Sequence, residues 1–345
     1  MPDASSPPPR SVSAGSSALA PESRSRGRML GRGIGMLVLS VLLWLACSAY
    51  AGKNAAGTGK IEENIKSKGI PASAGARVPM RIVSLVPSLT ETLFVLGLGD
   101  RLVGITDFCE HIPGARKIPS IGTCLEPSVE AIAARNPDLV LYGPDQEAIA
   151  RRLAALGLDT VSVRQIALDD IPGALQRIGD RCGVPAAAAS AVVRFRDRLA
   201  AVSRAVAGCR KPRVLLVVGR DVSGGRIEQA YVAAPGAYHD ALLRLAGAEN
   251  AWRGKALTVY PVVSQEGLMA LNPDAIVDLV PDPDRQPGGL DGLKAAWAAV
   301  PGMTAVASDR VLLLTETHLS IPGPESAADA AERLARLLHP EGAWR

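Results

Sequence analysis

Two stretches of this chain carry one pattern 136 residues apart: SVEAIAARNPDLVL from Ser128 to Leu141, and SQEGLMALNPDAIV from Ser264 to Val277. Aligned without a gap, they share Ser128 with Ser264, Glu130 with Glu266, Ala134 with Ala270, and Asn136-Pro137-Asp138 with Asn272-Pro273-Asp274. The local chemistry is the same in both. Serine caps a helix, glutamate falls in the first turn where the helix dipole favours a carboxylate, and proline stops the helix before an apolar run that reads as a strand. A chain that writes one helix-turn-strand unit twice at this distance is expected to fold as two equivalent lobes.

The flanking sequence extends the pattern. RIVSLV (81–86) reads as a strand, Ser88 as the cap of the following helix LTETLFVLGLG, and RLVGIT (101–106) as the next strand. After the first copy, DQEAIARRLAALGLDTVSV supplies a helix and a strand. The order restarts with the strand RVLLVVG (213–219), the helix YHDALLRLAGAEN, the second copy, a further helix and strand, and the terminal helix ESAADAAERLARLLHP. Between the halves, Pro185 to Ala207 has no internal Gly or Pro, and Val192, Val193, Phe195, Leu199, Val202 and Val206 recur at helical spacing. That is one helix of about 33 Å. Strands alternating with helices predict an α/β fold: two Rossmann-like lobes with mostly parallel sheets, joined by one long α-helix. The expected organisation is a leader and export signal at 1–51, a flexible tether at 52–78, an N-terminal lobe at 79–184, the connecting helix at 185–208 and a C-terminal lobe at 209–345.

Gly33 to Ala51 carries no charge, follows Arg24, Arg26, Arg28 and Arg32, and ends in Ala49-Tyr50-Ala51. Its strongly apolar part, about 13 residues, is short for a spanning helix, which needs about 20, so an export signal is expected. Met29 would begin a signal of more usual length than Met1. Leu45-Ala46-Cys47-Ser48 also resembles a lipobox, so lipidation at Cys47 and cleavage after Ala51 both fit. The expected location is therefore the periplasm or the outer face of the cytoplasmic membrane, held to the membrane surface if lipidated. The Gly-, Ala-, Ser- and Lys-rich stretch from Gly52 to Ala76 suits a tether.

Of 38 Lys/Arg and 34 Asp/Glu, residues 1–51 hold five and two, leaving a nearly neutral body of 33 and 32. With aromatics at 3% and no basic stripe, a nucleic-acid partner is not expected. No P-loop is present, so any ATPase is a separate subunit. Cys109 with His111 has no third orienting group and lies two apart in a loop, which argues against a thiol-dependent enzyme. Cys182 and Cys209 flank the long helix, too far apart to bridge.

The segments RIVSLVPSLTETLFVLGLGDRLVGITDFC, SVEAIAARNPDLVLY, SQEGLMALNPDAIV and IPGPESAADAAERLARLLHPE together resemble the helical-backbone periplasmic binding proteins of ABC importers for vitamin B12 and iron chelates. The resemblance spans about residues 79 to 341 and is nearest the corrinoid binders. It implies no enzymatic activity, no intrinsic cofactor and no resident metal. The implied cargo is a cobalt corrinoid, with a ferric siderophore or haem as the alternative. The implied partner of a monomeric binder is a dimeric permease with its ATPase subunits.

By the same resemblance Glu130 and Glu266 are the two acids that dock into arginine pockets of the permease. A near-symmetric permease needs two equivalent acidic knobs, which internal duplication provides. The ligand is expected in the interlobe cleft, at loops following the carboxyl ends of the strands. The candidate contacts are Ser88, Phe108, Cys124, Tyr231, Tyr260 and His318. Cys124 departs from the family pattern, standing where a vitamin B12 binder has a tryptophan. Glu325 replaces the arginine that usually follows Pro-Gly-Pro. A disulfide between Cys109 and Cys124 would staple the cleft rim; free thiols, or coordination with His111 nearby, are the alternatives. Arg220 and Arg226, after the first strand of the second lobe, are read first as solvated surface, with contact to an anionic chelate as the alternative.

Overall fold

The computed structural model describes residues 77–109 and 111–344. The export signal, Cys47 and almost all of the tether lie outside them.

The first lobe is built from β1 (Ile82–Ser84), α1 (Pro87–Val95), β2 (Leu102–Ile105), α2 (Val129–Ala134), β3 (Leu139–Tyr142), α3 (Glu147–Ala155), β4 (Thr160–Ser162) and α4 (Ile171–Arg181). Its four strands lie in the order β2-β1-β3-β4, all parallel. Every residue of β1 and β3 is buried, as parallel strands covered on both faces require. The expected linking helix is α5 (Pro185–Ala205), started by Pro185 in the first turn where its missing N–H costs nothing.

The second lobe comprises β5 (Arg213–Ser223), β6 (Arg226–Val232), α6 (Tyr238–Leu245), β7 (Glu249–Asn250), β8 (Val262–Ser264), α7 (Gln265–Leu271), β9 (Ala275–Leu279), α8 (Gly289–Ala298), α9 (Thr304–Ala307), β10 (Val311–Leu314) and α10 (Pro324–Leu338). Strands β7-β5-β9-β10 are parallel and repeat the β2-β1-β3-β4 order of the first lobe. An antiparallel hairpin, β5 to β6 with β8 beyond it, is added on one side. The mixed α/β fold with mostly parallel sheets is as expected; the hairpin is not. Strand β5 runs four residues past RVLLVVG and turns at Gly224-Gly225, both with positive φ (57° and 74°). Such a pair of glycines makes the tight turn that matches strand twist.

The repeated segment proves to be a structural joint in each lobe. Ser128 and Ser264 cap α2 and α7, accepting from the N–H of Ala131 (3.1 Å) and Gly267 (3.3 Å). Asn136 and Asn272 both take positive φ (46° and 36°), a conformation asparagine tolerates and which ends each helix. Asp138 then accepts from the backbone N–H of Met80 (2.9 Å) and Arg81 (2.8 Å), and Asp274 from that of Arg213 (2.9 Å). The two arginines answer in kind. Arg81 donates to the carbonyls of Arg135 and Asn136, and Arg213 to those of Leu271 and Asn272, satisfying helix-end acceptors. Each copy thus ties the end of one helix to the start of its lobe's first strand.

The lobes share more than the linking helix. The largest core runs from Leu89 and Leu93 through Leu175, Ile178, Phe195 and Val202 to Leu242, Leu334 and Leu338. Helix α10 packs against α1, α5 and α6. On its exposed side Arg198 of α5 pairs with Glu325 (2.8 Å) and Asp329 (2.6 Å). The outer face of each sheet holds a separate core, Val83, Leu85, Ile132 and Leu153 in the first lobe, and Leu215, Ile227, Ile276 and Trp297 in the second.

Candidate functional site

Loops following the carboxyl ends of β1, β3 and β4 form one wall of a depression: Val86 to Leu89, Gly143 to Gln146, and Val163, Gln165 and Ile166, with Cys124 between them. Ile321 and Pro322, from the loop before α10, close it from the other lobe. The lining is mainly apolar, with Ser88, Gln165, Asp145 and Gln146 as its polar groups. Burial raises the Asp145 carboxyl above its ordinary range, and Arg164 opposes the rise.

Three polar side chains missed by sequence reasoning set this geometry. Gln165 is buried and donates to Pro322 O (2.8 Å) and Ser88 O (3.3 Å), while its carbonyl accepts from the Thr92 hydroxyl (3.0 Å). Gln146 donates to the carbonyls of Cys124 (2.6 Å) and Leu85 (3.0 Å). Glu91 of α1, only 4% exposed, reaches the amino end of α10 and accepts from the N–H of Glu325 (2.7 Å) and Ser326 (2.9 Å) and from the Ser326 hydroxyl. A carboxylate there satisfies helix-end donors and complements the dipole. The interaction explains Pro322-Gly323-Pro324: a Cβ on Gly323 would lie 2.4 Å from the Glu91 carboxylate. Tyr238 adds a hydrogen bond to Ile321 O (3.2 Å). The cleft loop of one lobe is therefore fastened directly to the other.

Among the residues expected at the ligand, Ser88 and Cys124 line the depression. Ser88 does not cap α1 as expected. Pro87 takes the first helical position, so Val86 is the capping residue, and the buried Ser88 hydroxyl has no hydrogen-bond partner. Phe108 is 53% exposed and held at φ 70°, a costly conformation for a bulky residue, which presents the ring outward. His318 is half-buried, and its ring stacks on that of His111 at 6.2 Å and 22°. His111 Nε2 in turn lies 3.5 Å from Glu91. Tyr231 is half-buried on β6 with its ring beside Gly219. Tyr260 is buried and its hydroxyl is 2.9 Å from His239 Nδ1, so it is committed to the interior of its lobe.

Cys109 and Cys124 are both buried, close enough that each charge would disfavour the other, and no S–S bond joins them in this structure. Burial pushes the Cys109 thiol up to about 12, against a hydrogen bond to Thr90. A thiol held protonated at neutral pH is a poor nucleophile. Arg220 also departs from expectation. Its side chain is 4% exposed and pairs with fully buried Asp278 at 2.7 Å, beneath a hydrogen bond from Trp297 (2.8 Å). Burial pushes the Asp278 carboxyl up to about 6 while Arg220 pulls it down.

Glu130 and Glu266 are exposed at matching places, the second residue of α2 and of α7. The helix-start N–H and then the cap serine hold each carboxyl below the usual carboxylate range. Neither forms an ion pair among the described residues.

The sequence model of a family described as periplasmic binding protein matches residues 82–317. The chain belongs to the periplasmic binding protein family. A cobalamin-binding protein of Halobacterium salinarum is 31% identical over 271 residues, covering 76% of this chain and 70% of its relative. Among solved structures, a periplasmic haem-binding protein from Pseudomonas aeruginosa shares 27% identity at a TM-score of 0.65, covering 76% of this chain and 94% of the other. The vitamin B12-binding protein of Vibrio cholerae has the same fold, with 24% identity and a TM-score of 0.62 over 76% and 98% of the two chains. The family and these relatives are binding proteins, not enzymes. Membership places the chain outside the cytoplasm, and no helix among the described residues is long and apolar enough to cross a membrane.

Proposed function

We propose that this chain is the substrate-binding component of an ABC importer, that it captures a corrinoid in the cleft between its lobes, and that it delivers it to a dimeric permease driven by ATPase subunits. The similarity to a cobalamin-binding protein over 271 residues, a span longer than either lobe, carries the reading. The site's chemistry supports it. A large ring ligand is held by contact area with a few orienting polar groups; the depression offers apolar walls and the unpartnered Ser88 hydroxyl, and the loop after β2 adds the exposed ring of Phe108 outside that lining. Tyr231 and His318 would contact the cargo farther along the cleft; Tyr260 would act only by bracing its wall. In an oxidising compartment Cys109 and Cys124 would pair and stiffen the rim.

Glu130 and Glu266 are the docking acids in this reading. The shared serines cap their helices, the shared asparagines reverse the chain and the shared aspartates anchor a strand, whereas the two exposed carboxylates have only their cap serines. A leader processed at Cys47 would hold the monomeric binder near its permease by a lipid; cleavage after Ala51 would release it.

Haem is the second reading, favoured by the stacked His111 and His318 rings and by the haem-binding structural neighbour. The two are separated by titrating purified protein with cobinamide, cyanocobalamin, haemin and ferric siderophores while following tryptophan fluorescence. Saturation by a corrinoid at one equivalent is expected. Silence toward corrinoids with saturation by haemin or a ferric siderophore would overturn the corrinoid assignment.

A further inference from the structure

The C-terminal tail brings together three metal-binding side chains on elements that do not line the cleft. Cys209 follows the end of α5, His339 ends α10, and Glu341 lies two residues beyond. The Cys209 Sγ, a ring nitrogen of His339 and a carboxylate oxygen of Glu341 all lie within 4.8 Å of one another. The tail holds its place through several hydrogen bonds: Ala343 N–H to Ala205 O (2.9 Å), Gly342 N–H to His339 O (3.0 Å) and Trp344 Nε1–H to His339 O (2.9 Å). Arg336 stacks over the Trp344 ring at 4.7 Å.

The histidine is set in the orientation of a metal ligand. Its Nε2 is 3.1 Å from Gly247 O, and because a carbonyl only accepts, Nε2 carries the proton. The Nδ1 lone pair is therefore free for a metal on the side of Glu341, in the cluster that also holds the Cys209 Sγ. Metal-binding histidines are commonly fixed in this way, with the second nitrogen donating to a backbone carbonyl. Gly247 makes the approach feasible: it sits at φ 76°, and a Cβ there would lie 3.0 Å from Nε2. The His339 side chain is only 1% exposed, so the ring is locked, while Glu341 is 62% exposed and leaves one side open to water.

Nδ1 is 3.6 Å from Glu341 Oε1, too long for a hydrogen bond. It is close to the edge of a tetrahedron around zinc, about 3.4 Å for bonds of about 2.0–2.2 Å. The donors are a thiolate, an imidazole and a carboxylate. Their two negative charges would balance a divalent cation, and the sulfur and nitrogen select a zinc-class transition metal over magnesium or calcium.

We propose that Cys209, His339 and Glu341 bind a zinc-class divalent metal ion, with water as the fourth ligand, clasping the C-terminal tail to the end of the linking helix. Among the described cysteines, Cys209 alone is not buried, which leaves its thiol open to an incoming ion.

The test uses purified cargo-free protein stripped with a chelator, then titrated with zinc against a chromophoric competitor and separately with cobalt(II). Cys209→Ser and Glu341→Gln alter partly exposed side chains, and their melting temperatures establish that the fold persists. The wild type should bind one equivalent of zinc and show a thiolate-to-cobalt charge-transfer band. Cys209→Ser should abolish the band and weaken zinc by more than about a hundredfold, beyond what loss of an outer partner causes. Glu341→Gln should weaken zinc by roughly tenfold. Failure to bind zinc, or stoichiometric binding that neither substitution changes, would overturn the proposal.

Discussion

The two lobes agree in their frame and differ around the cleft. Both place four parallel strands in the same order, and both tie a capped helix to the start of the first strand through Asn-Pro-Asp and an arginine. Both expose one glutamate at the second position of that helix. The differences lie in what was built onto the frame. Position 142 of β3 is a tyrosine hydrogen-bonded to Glu147 (3.0 Å); its counterpart in β9 is Asp278, fully buried and paired with Arg220. Counting back from the left-handed glycines Gly97 and Gly247, Leu89 of α1 corresponds to His239 of α6. The first lobe supplies most of the cleft wall, and the second supplies the hairpin and the loop fastened by Glu91. What a near-symmetric partner would touch has stayed duplicated, and what the cargo would touch has diverged.

That contrast can be broken most forcefully at the buried ion pair. Asp278→Ala leaves the Arg220 charge without its partner in the interior and should cost about 3–5 kcal/mol in denaturant unfolding. Tyr142→Phe, at the equivalent position, should cost about 1 kcal/mol or less. Equal losses would mean that the lobes do not differ there as described.

The next effect is a pH dependence confined to the second lobe. Burial lowers His239 to about 3, so the folded protein keeps the ring neutral while the unfolded chain protonates it near 6.5. Its folded form holds fewer protons, so the stability from this residue is present above 6.5 and is lost as pH falls toward 3. Between about pH 7.5 and about pH 5 the wild type should lose ~2 kcal/mol more than His239→Gln. Identical pH profiles would remove His239 from the account.

The smallest effects test equivalence. Asp138→Ala and Asp274→Ala each strip an acceptor from the first strand's opening N–H groups, and each should cost about 1–2 kcal/mol. A large loss at one site and none at the other would break the claim that the two joints do the same job.

Much of the frame was legible because it repeats. The serine, glutamate and Asn-Pro-Asp spacing, together with the long glycine-free run from Pro185, announced two lobes and their connecting helix. Helix α4 was overlooked despite a strongly periodic sequence. The β5–β6 hairpin was missed although Gly224-Gly225 between alternating apolar residues was a usable signal. Ser88 reads as a cap by residue type, but the preference of proline for the first helical position moves the cap to Val86. The clasp of Glu91 on Ser326 joins residues 235 apart and leaves no period in the sequence. The same is true of Gln165 with Pro322, and of Arg220, whose partner 58 positions away turns an apparent surface charge into a core pair. Cys124 at the cleft follows from the family resemblance, whereas Ser88 follows from the local strand-turn-helix pattern at the carboxyl end of β1.

The most direct test of the paired-acid claim is transport into vesicles carrying the cognate permease and ATPase, with Glu130→Ala, Glu266→Ala and the double variant compared at matched cargo occupancy. Cargo affinity should stay within about twofold of wild type, because both side chains are exposed and outside the cleft. Uptake should fall for each single variant and be abolished for the double. Undiminished uptake by the double variant, or loss of cargo binding in either single one, would contradict the role assigned to the repeated glutamate.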